Sequence, residues 1–286
     1  MKINAYAKIN IGLDVLRRRD DGYHEVRMIM QNIDVHDELD IEKDDSPGIR
    51  ITGDAGDLPL NEDNLIYKAA KLIMDTYAIS GGLNVRLTKN IPVAAGLAGG
   101  STDAAATLKA VNDLYGLGLD MQQLKDLGVK IGADVPYCIT GGTAISEGIG
   151  EILTPIRPCP ACRILLAKPP ISVSTAYVYT HLQLDKVTHP DIDGIIRSIE
   201  NDDIKGVADC MGNVLESVTI PANPVIDDIK NMMRENGAFG VLMSGSGPSV
   251  FGMFDCDDDM DRAYDSLAKS GLVKDLFKTR LYDPGK

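Results

Sequence analysis

A glycine-rich segment that leads into an alanine-rich stretch, Pro92–Ala106, carries the pattern in this chain that is most suggestive of chemistry. Gly96, Gly99 and Gly100 can take positive φ and let the backbone approach a ligand closely. The first turn of a following helix leaves N–H groups unpaired, and these donors attract anions together with the helix dipole. The segment is therefore typical of a phosphate-binding loop.

The same residues also fit a glycine-rich turn that only begins a core helix, and spacing alone does not decide between the two. Ser101 or Thr102 is available to cap the helix, and Gly116 stands where it should stop. The apolar residues at helical spacing are Ala104, Leu108, Val111 and Tyr115. No Walker A loop, G-x-G-x-x-G, His-Arg-Asp or Asp-Phe-Gly motif occurs, which excludes the common dinucleotide and protein-kinase patterns.

The elements around this loop indicate a mixed α and β chain. Alternating apolar residues predict several strands in residues 1–60 and a strand over Leu83–Leu87, with a helix between them over Asn64–Tyr77. A helix follows at about 121–130. Beyond a proline-rich stretch near residues 154–160, strands at 163–167, 240–243 and 249–254 alternate with helices near 191–200, 223–235 and 260–270.

Composition limits the partners and the compartment. The chain has 286 residues and a formal net charge of −13, which argues against broad contact with nucleic acid or an anionic membrane. No apolar run approaches the length of a membrane span, and the N-terminus lacks the apolar core of a secretory signal. Five scattered cysteines fit reduced thiols, so we expect a cytoplasmic protein.

Four segments of the chain are informative together: the N-terminal stretch Ala5–Leu13, the loop Pro92–Ala106, the short Gly132–Pro136 and the glycine motif Met243–Gly252. In combination they resemble the GHMP small-molecule kinases, the family of galactokinase, homoserine, mevalonate and phosphomevalonate kinases. The resemblance implies an α+β, two-layer fold with an N-terminal domain like ribosomal protein S5 domain 2 and a ferredoxin-like C-terminal domain. We place the boundary so that residues 1–157 form the ATP-binding domain and 158–286 the second.

Within the family, Lys8-Ile9-Asn10 followed by Arg17–Glu25 is similar to members that act on 4-diphosphocytidyl-2-C-methyl-D-erythritol. The resemblance implies ATP-dependent phosphorylation of its 2-hydroxyl in non-mevalonate isoprenoid biosynthesis. It also implies that Asp134 accepts the hydroxyl proton, that Lys8 keeps that carboxylate ionised and stabilises the transferring phosphoryl group, and that Asn10 orients the acceptor. On spacing alone, Asp134 fits a helix N-cap and Lys8 an edge-strand residue.

The resemblance also implies a nucleotide site and an accompanying Mg²⁺ ion. Ser101 is a candidate metal ligand, but we assign no metal ligand from the sequence. The residues expected to hold ATP are Asn64, Pro92, Ala94, Ala95, Gly96, Leu97, Ala98, Gly99, Gly100, Ser101 and Thr102. The family often has glycine where this chain has Ala94, Ala95 and Ala98, whose methyl groups restrict positive φ and leave the path of the loop open.

Substrate-binding residues follow from the same resemblance. Tyr23 and Tyr179 are expected to stack on the cytosine and His24 to hydrogen-bond its edge, with Tyr177 as the alternative to Tyr179. As isolated residues, these tyrosines also fit half-buried packing aromatics. The backbone of Gly245, Ser246 and Gly247 is expected to face the substrate diphosphate, although the motif also fits a plain tight turn.

Two other functions stay open on the sequence. One is a GHMP kinase for another small alcohol, such as mevalonate or homoserine. The other is a noncatalytic RNA-binding protein with the S5-like fold, whose basic surface would conflict with the net charge. We expect a small-molecule substrate, no nucleic acid, no membrane, and a monomer or weak homodimer.

Overall fold

The computed structural model describes residues 1–54, 56 and 58–284 and shows an α+β protein, as expected from the sequence. The chain divides into two compact units. The first comprises Met1–Ala7, Val35–Val93 and Ala98–Gly141, and the second comprises Lys8–Asp34, Ala94–Leu97 and Gly142–Lys286. Each unit is therefore assembled from segments that are distant in the sequence.

The strands are β1 (Lys2–Arg18), β2 (His24–Asp44), β3 (Gly48–Asp54), β4 (Gly82–Thr88), β5 (Thr143–Gly148), β6 (Ile152–Pro155), β7 (Arg163–Lys168), β8 (Gly212–Asn213), β9 (Gly240–Met243), β10 (Val250–Phe254) and β11 (Asp275–Arg280). The helices are α1 (Leu65–Thr76), α2 (Gly99–Tyr115), α3 (Met121–Gly128), α4 (Val135–Thr140), α5 (Thr175–His181), α6 (Ile192–Glu200), α7 (Ile204–Cys210), α8 (Glu216–Ala222), α9 (Val225–Glu235) and α10 (Asp257–Ser270), with a 3₁₀ turn at Leu184–Lys186.

In the first unit, a small sheet is covered by helices. β4 pairs antiparallel with residues 38–44 of β2 and parallel with β3. Helices α1 and α2 pack on each other, and α4 packs on α2 and α3. Their apolar faces share one core with the sheet, in which Ile66, Ile73, Leu108 and Val111 are fully buried.

The second unit contains two sets of paired strands. Residues 26–31 of β2 pair antiparallel with β5, which pairs with β6, while Gly12 and Leu13 of β1 pair parallel with β8. A separate antiparallel sheet has the order β11-β7-β10-β9, and α9 and α10 pack against it. An antiparallel sheet of four strands covered by helices agrees with the ferredoxin-like expectation for this part of the chain.

The sequence pattern predicted the long helices and strands better than their burial or the short elements between them. Residues 7–15 of β1 are buried at every position, because both faces of the strand are covered, whereas alternation suggested one apolar face. Helices α7 and α8, each seven residues long, and strand β11 were not predicted. Within the described residues, no helix is both long and apolar enough to span a bilayer.

Candidate active site

The backbone of the glycine-rich loop takes left-handed conformations at alternate positions. Ala94, Gly96 and Ala98 have φ of 50°, 74° and 57°. The path of the loop, which the sequence left open, thus includes positive φ at residues 94 and 98 despite their methyl groups. A left-handed alanine costs about 1–2 kcal/mol, so the surrounding structure must hold the loop in this path.

Gly99 and Gly100 do not take the positive φ expected for them, because they are the first two helical residues of α2. A Cβ on Gly99 would lie 3.0 Å from Lys89 Nζ and 3.1 Å from Ile91 Cγ2, and one on Gly100 would lie 3.2 Å from Leu65 Cδ1. These glycines allow close packing of the helix start. The positive end of a 17-residue helix thus begins directly after the loop.

The capping prediction for α2 is also wrong. Ala98 occupies the N-cap position, and no side chain caps the helix. The hydroxyl of Thr102 instead donates to the Tyr6 carbonyl at 2.8 Å, which ties the first turn of α2 to β1. No capping side chain therefore occupies the N–H groups at the start of α2.

A buried charge cluster that the sequence did not indicate lies beside this turn. Lys89 Nζ bonds Asp37 and also lies 2.8 Å from an Asp103 oxygen, and all three side chains are almost fully buried. Asp37 also accepts the N–H groups of Asn90 and Ile91. Burial raises the pKa of Asp103 to about 8, and one lysine cannot neutralise two carboxylates. The cluster is then neutral when Asp103 holds a proton.

Lys8 and Asn10 form a buried polar pair on β1. Lys8 Nζ donates to Asn10 Oδ1 at 2.8 Å, and the Asn10 amide lies 3.4 Å from Met28 Sδ. The Lys8 side chain is only 5% exposed, so it does not extend into solvent as the edge-strand alternative required. The Lys8 N–H donates to the Leu97 carbonyl at 3.1 Å, which joins this strand to the glycine loop.

The glycine motif near the C-terminus lies against the same loop. The Ser244 hydroxyl donates to the Gly96 carbonyl at 3.0 Å. A Cβ on Gly96 would lie 2.2 Å from the backbone carbonyl oxygen of Ser244. A Cβ on Gly245 would lie 3.6 Å from Lys8 Nζ. Lys8, the loop residues 94–97 and the turn 244–247 are thus brought together by contacts that only glycine permits.

Asp134 stands at the N-cap position of α4, as the capping alternative required. Its backbone is helical, with φ −80° and ψ −16°, and its side chain makes no capping hydrogen bond. Pro136 lies in the first turn, where a missing N–H costs nothing. Capping of α4 therefore does not explain the carboxylate at this position.

Three of the aromatic residues expected at the cytosine site make ring contacts within the protein. The rings of His24 and Tyr179 have centroids 5.2 Å apart and planes inclined by 42°, whereas Tyr177 stacks on His181 at 3.9 Å. Tyr23 is 60% exposed. Burial, and secondarily the charge of Arg18, lowers the pKa of His24. Its ring is therefore neutral at physiological pH and can both donate and accept a hydrogen bond.

The side chains of Thr175 and Ser246 link helix α5 to the glycine turn. The Thr175 hydroxyl at the start of α5 lies 2.8 Å from the Ser246 hydroxyl, so the helix bearing Tyr179 is tied to the glycine turn. In the sequence, the only signal for this contact is that Thr175 stands close before Tyr177 and Tyr179.

Asn64, one of the residues expected to hold ATP, caps α1. It accepts from the Ile66 N–H at 2.9 Å and donates to the Pro59 carbonyl at 2.7 Å.

Comparisons with known proteins agree on one family. The profile of the GHMP kinases N terminal domain matches residues 64–142, and that of the GHMP kinases C terminal matches residues 195–272. Proteins named 4-diphosphocytidyl-2-C-methyl-D-erythritol kinase are similar over nearly the whole length. That of Lachnoclostridium phytofermentans is 49% identical, covering 99% of this chain and 98% of its own. That of Lachnospira eligens is 50% identical and covers 99% of each.

Solved structures show the same similarity. A crystal structure of 4-(cytidine 5'-diphospho)-2C-methyl-D-erythritol kinase has 31% identity and a TM-score of 0.85, covering 99% of this chain and 100% of that one. Homoserine kinase from Cytophaga hutchinsonii has 21% identity and a TM-score of 0.76, covering 98% of this chain and 94% of its own. At that identity the second likeness concerns the fold alone.

Proposed function

The chain belongs to the GHMP kinases, among them to the 4-diphosphocytidyl-2-C-methyl-D-erythritol kinases, and we infer that it phosphorylates the 2-hydroxyl of 4-diphosphocytidyl-2-C-methyl-D-erythritol with ATP. The product belongs to non-mevalonate isoprenoid biosynthesis. The observation that carries this function is the identity of about half of all residues with such kinases over nearly the full chain. The family resemblance stated from the sequence is thereby confirmed.

We propose that Asp134 is the general base. A hydroxyl is a poor nucleophile at neutral pH, so a carboxylate that accepts its proton as the new P–O bond forms lowers the barrier. The oxygen then attacks the γ-phosphorus, and the bond to the β-phosphate oxygen breaks to release ADP. The support is the family motif Gly132–Pro136, together with a position at a helix start where the side chain is not used as a cap.

Lys8 is proposed to neutralise the charge that develops on the transferred phosphoryl group. Its ammonium is held by Asn10 and has little exposure, so its charge acts in a medium of low dielectric constant. The Asn10 amide orients the acceptor hydroxyl in the same proposal. Because Lys8 lies beside the turn 244–247 and the loop 94–97, a phosphate chain bound there comes within its reach.

The triphosphate is proposed to bind the N–H groups of the loop and of the first turn of α2. When bound, Mg²⁺ neutralises charge on the β- and γ-phosphates. The described residues hold no group of three or more His, Cys, Asp or Glu side chains arranged for a metal. An ion carried mainly by the phosphates of ATP fits this, with Ser101, in the first turn of α2, as the candidate protein ligand.

The cytosine is proposed to bind beside His24 and Tyr179, with Tyr23 covering its other face. The contact between the His24 and Tyr179 rings favours Tyr179 over Tyr177, whose ring is occupied by His181. Stacking accepts any base, so selectivity must come from hydrogen bonds to the cytosine edge, which a neutral His24 can make. The turn 245–247 would then receive the diphosphate.

A coupled assay of ADP release tests the function. We expect turnover with 4-diphosphocytidyl-2-C-methyl-D-erythritol and none with mevalonate or homoserine at equal concentration. Turnover of either alcohol alone would assign the chain to another branch of the family, and salt-sensitive RNA binding without turnover would favour the noncatalytic alternative. We further propose that the protein is cytoplasmic, that it is a monomer or weak homodimer, and that a domain boundary lies near residue 157. Sedimentation would test the oligomeric state, and limited proteolysis would test the boundary.

A further inference from the structure

The turn between β9 and β10 is held from behind by one buried side-chain amide. Asn213, on β8, donates from Nδ2 to the carbonyls of Met243 and Gly245 at 2.9 and 2.8 Å. Its Oδ1 accepts the Leu215 N–H at 3.0 Å. All the amide's hydrogens and one oxygen lone pair are thus used, and Asn213 is only 7% exposed.

Neighbouring groups on α8 and α9 complete this support. Glu216 accepts the Met243 N–H at 2.9 Å and is itself bonded by the buried Lys230 at 2.6 Å. The Thr219 hydroxyl donates to the Ser246 carbonyl at 3.2 Å. A Cβ on Gly247 would lie 2.6 Å from Met243 Sδ, so the turn also has little space to shift on this side.

The hydrogen bond to Gly245 fixes the direction of a donor on the opposite side. In a trans peptide the C=O and the following N–H point in opposite directions. Because Asn213 holds the Gly245 carbonyl, the Ser246 N–H points away from Asn213. Gly245 approaches Lys8, which places a cation beside the turn that carries this donor.

We propose that Asn213 is a positioning residue for the acceptor substrate, which aims the Ser246 amide of the 244–247 turn at the substrate diphosphate. The inference rests on the proposed function, in which this turn binds the diphosphate. Asn213 acts through the turn and does not touch the substrate. Thr219 supports the next peptide, whose Gly247 N–H donates to the Ser244 carbonyl at 2.9 Å, so the two residues set the orientation of successive peptide units.

The substitution Asn213→Asp tests this role with the smallest change in shape. Aspartate keeps the acceptor for the Leu215 N–H but replaces two donors with an oxygen that repels the carbonyls of Met243 and Gly245. We expect the Kd for cytidine 5'-diphosphate and the KM for the acceptor to rise about tenfold. We expect kcat and the KM for ATP to stay within about threefold.

Asn112→Asp is the matched control. Asn112 also accepts one backbone N–H and donates to one carbonyl, both of Leu119, and has no part in the proposed site. Its variant should lose stability without a change in cytidine 5'-diphosphate affinity. If Asn213→Asp fails to fold by circular dichroism, Thr219→Val and Thr219→Ser decide, because only serine keeps the donor to Ser246.

The outcomes separate this inference from the function. Wild-type protein that binds cytidine 5'-diphosphate in calorimetry but does not phosphorylate the acceptor would overturn the proposed function and leave the positioning role to be judged by the Kd values. Wild-type protein that shows no binding of cytidine 5'-diphosphate would overturn the positioning role. A folded Asn213→Asp variant with an unchanged Kd for cytidine 5'-diphosphate would also overturn the positioning role. If Asn213→Asp does not fold, equal Kd values for Thr219→Val and Thr219→Ser would overturn it. An equal rise of the KM values for ATP and acceptor would show general loosening instead.

Discussion

The carboxylate of Asp134 and the methyl group of Ala94 show how single residues depart from what their local position favours. Asp134 holds an N-cap position without capping, and Ala94 takes a conformation that glycine adopts more easily. Both departures lie in segments that match family motifs. Natural proteins accept such local costs where function requires them, so each departure defines an experiment on one side chain.

For Asp134, the substitution Asp134→Asn removes the proposed base while keeping the shape of the side chain. We expect kcat to fall by about 10²–10⁴-fold with ATP affinity changed less than about threefold, because the general base acts in the chemical step. Steady-state kinetics and nucleotide titration measure both. Asp120→Asn is the control, since Asp120 does cap α3 through the Gln123 N–H and asparagine caps equally well. Full activity of Asp134→Asn would remove the carboxylate from the mechanism.

For the loop, Ala94→Gly should stabilise the protein by about 0.5–1 kcal/mol. Relief of the left-handed alanine outweighs the greater chain entropy that glycine loses on folding. Urea denaturation measures the change. Ala268→Gly, at an exposed position in the regular helix α10, should lose about 1 kcal/mol. A loss of stability at both positions would mean that φ at residue 94 carries no strain.

Helices α2 and α1, near the glycine-rich loop, are held by polar groups whose structural roles the sequence did not reveal. The start of α2 is anchored by Thr102 and by the buried Asp37–Lys89–Asp103 cluster, and α1 begins at a capping Asn64. Removal of one group at a time separates a structural anchor from a ligand-binding role.

The Asp103 carboxyl should make the stability of the protein depend on pH. Its pKa is raised from 3.8 to about 8, so between these values the unfolded chain releases a proton that the folded chain keeps. Each pH unit in that window then lowers the free energy of unfolding by up to about 1.4 kcal/mol. Asp103→Asn should therefore be more stable than wild type at pH 7 by about 1–3 kcal/mol, with the difference shrinking towards pH 4. A less stable variant at pH 7 would indicate an ionised Asp103.

Asn64 allows the cap of α1 to be separated from the proposed adenine contact. Asn64→Ala should lower the free energy of unfolding by about 1 kcal/mol, whereas Asn64→Asp keeps an acceptor for the Ile66 N–H and retains most of it. If the residue also contacts adenine, the KM for ATP rises several-fold in both variants. An unchanged KM for ATP in Asn64→Asp would assign this residue to the cap alone.

At the scale of the whole molecule, the net charge of −13 opposes the binding of two anionic substrates. In the proposed site, the local cation of Lys8 and backbone donors attract the substrates, while the net charge of the rest of the protein repels them. Raising KCl from about 20 to about 200 mM screens the distant charges more than the near ones, so kcat/KM for the acceptor should rise about two- to threefold. A steep fall would instead indicate an attractive basic surface.

The sequence allowed the fold class, the long strands and the chemistry of the motifs to be predicted, because these depend on local pattern and on family resemblance. It did not reveal the roles of Asn213, Thr175 or Lys89, whose partners are 14–71 residues away in the chain. Nor did it locate α8, where Pro221 lies within a short helix. Tertiary contacts decide these features, and they leave no periodic signal.

The hydrogen bonds from Lys8 to Leu97 and from Asn213 to Gly245 draw together four segments spread along most of the sequence. During synthesis on a ribosome, the first half of the chain waits roughly 10–30 s for its C-terminal partners to emerge. The nascent chain can build its first core during that interval, but it lacks the turn proposed to receive the diphosphate until residues 244–247 have left the exit tunnel.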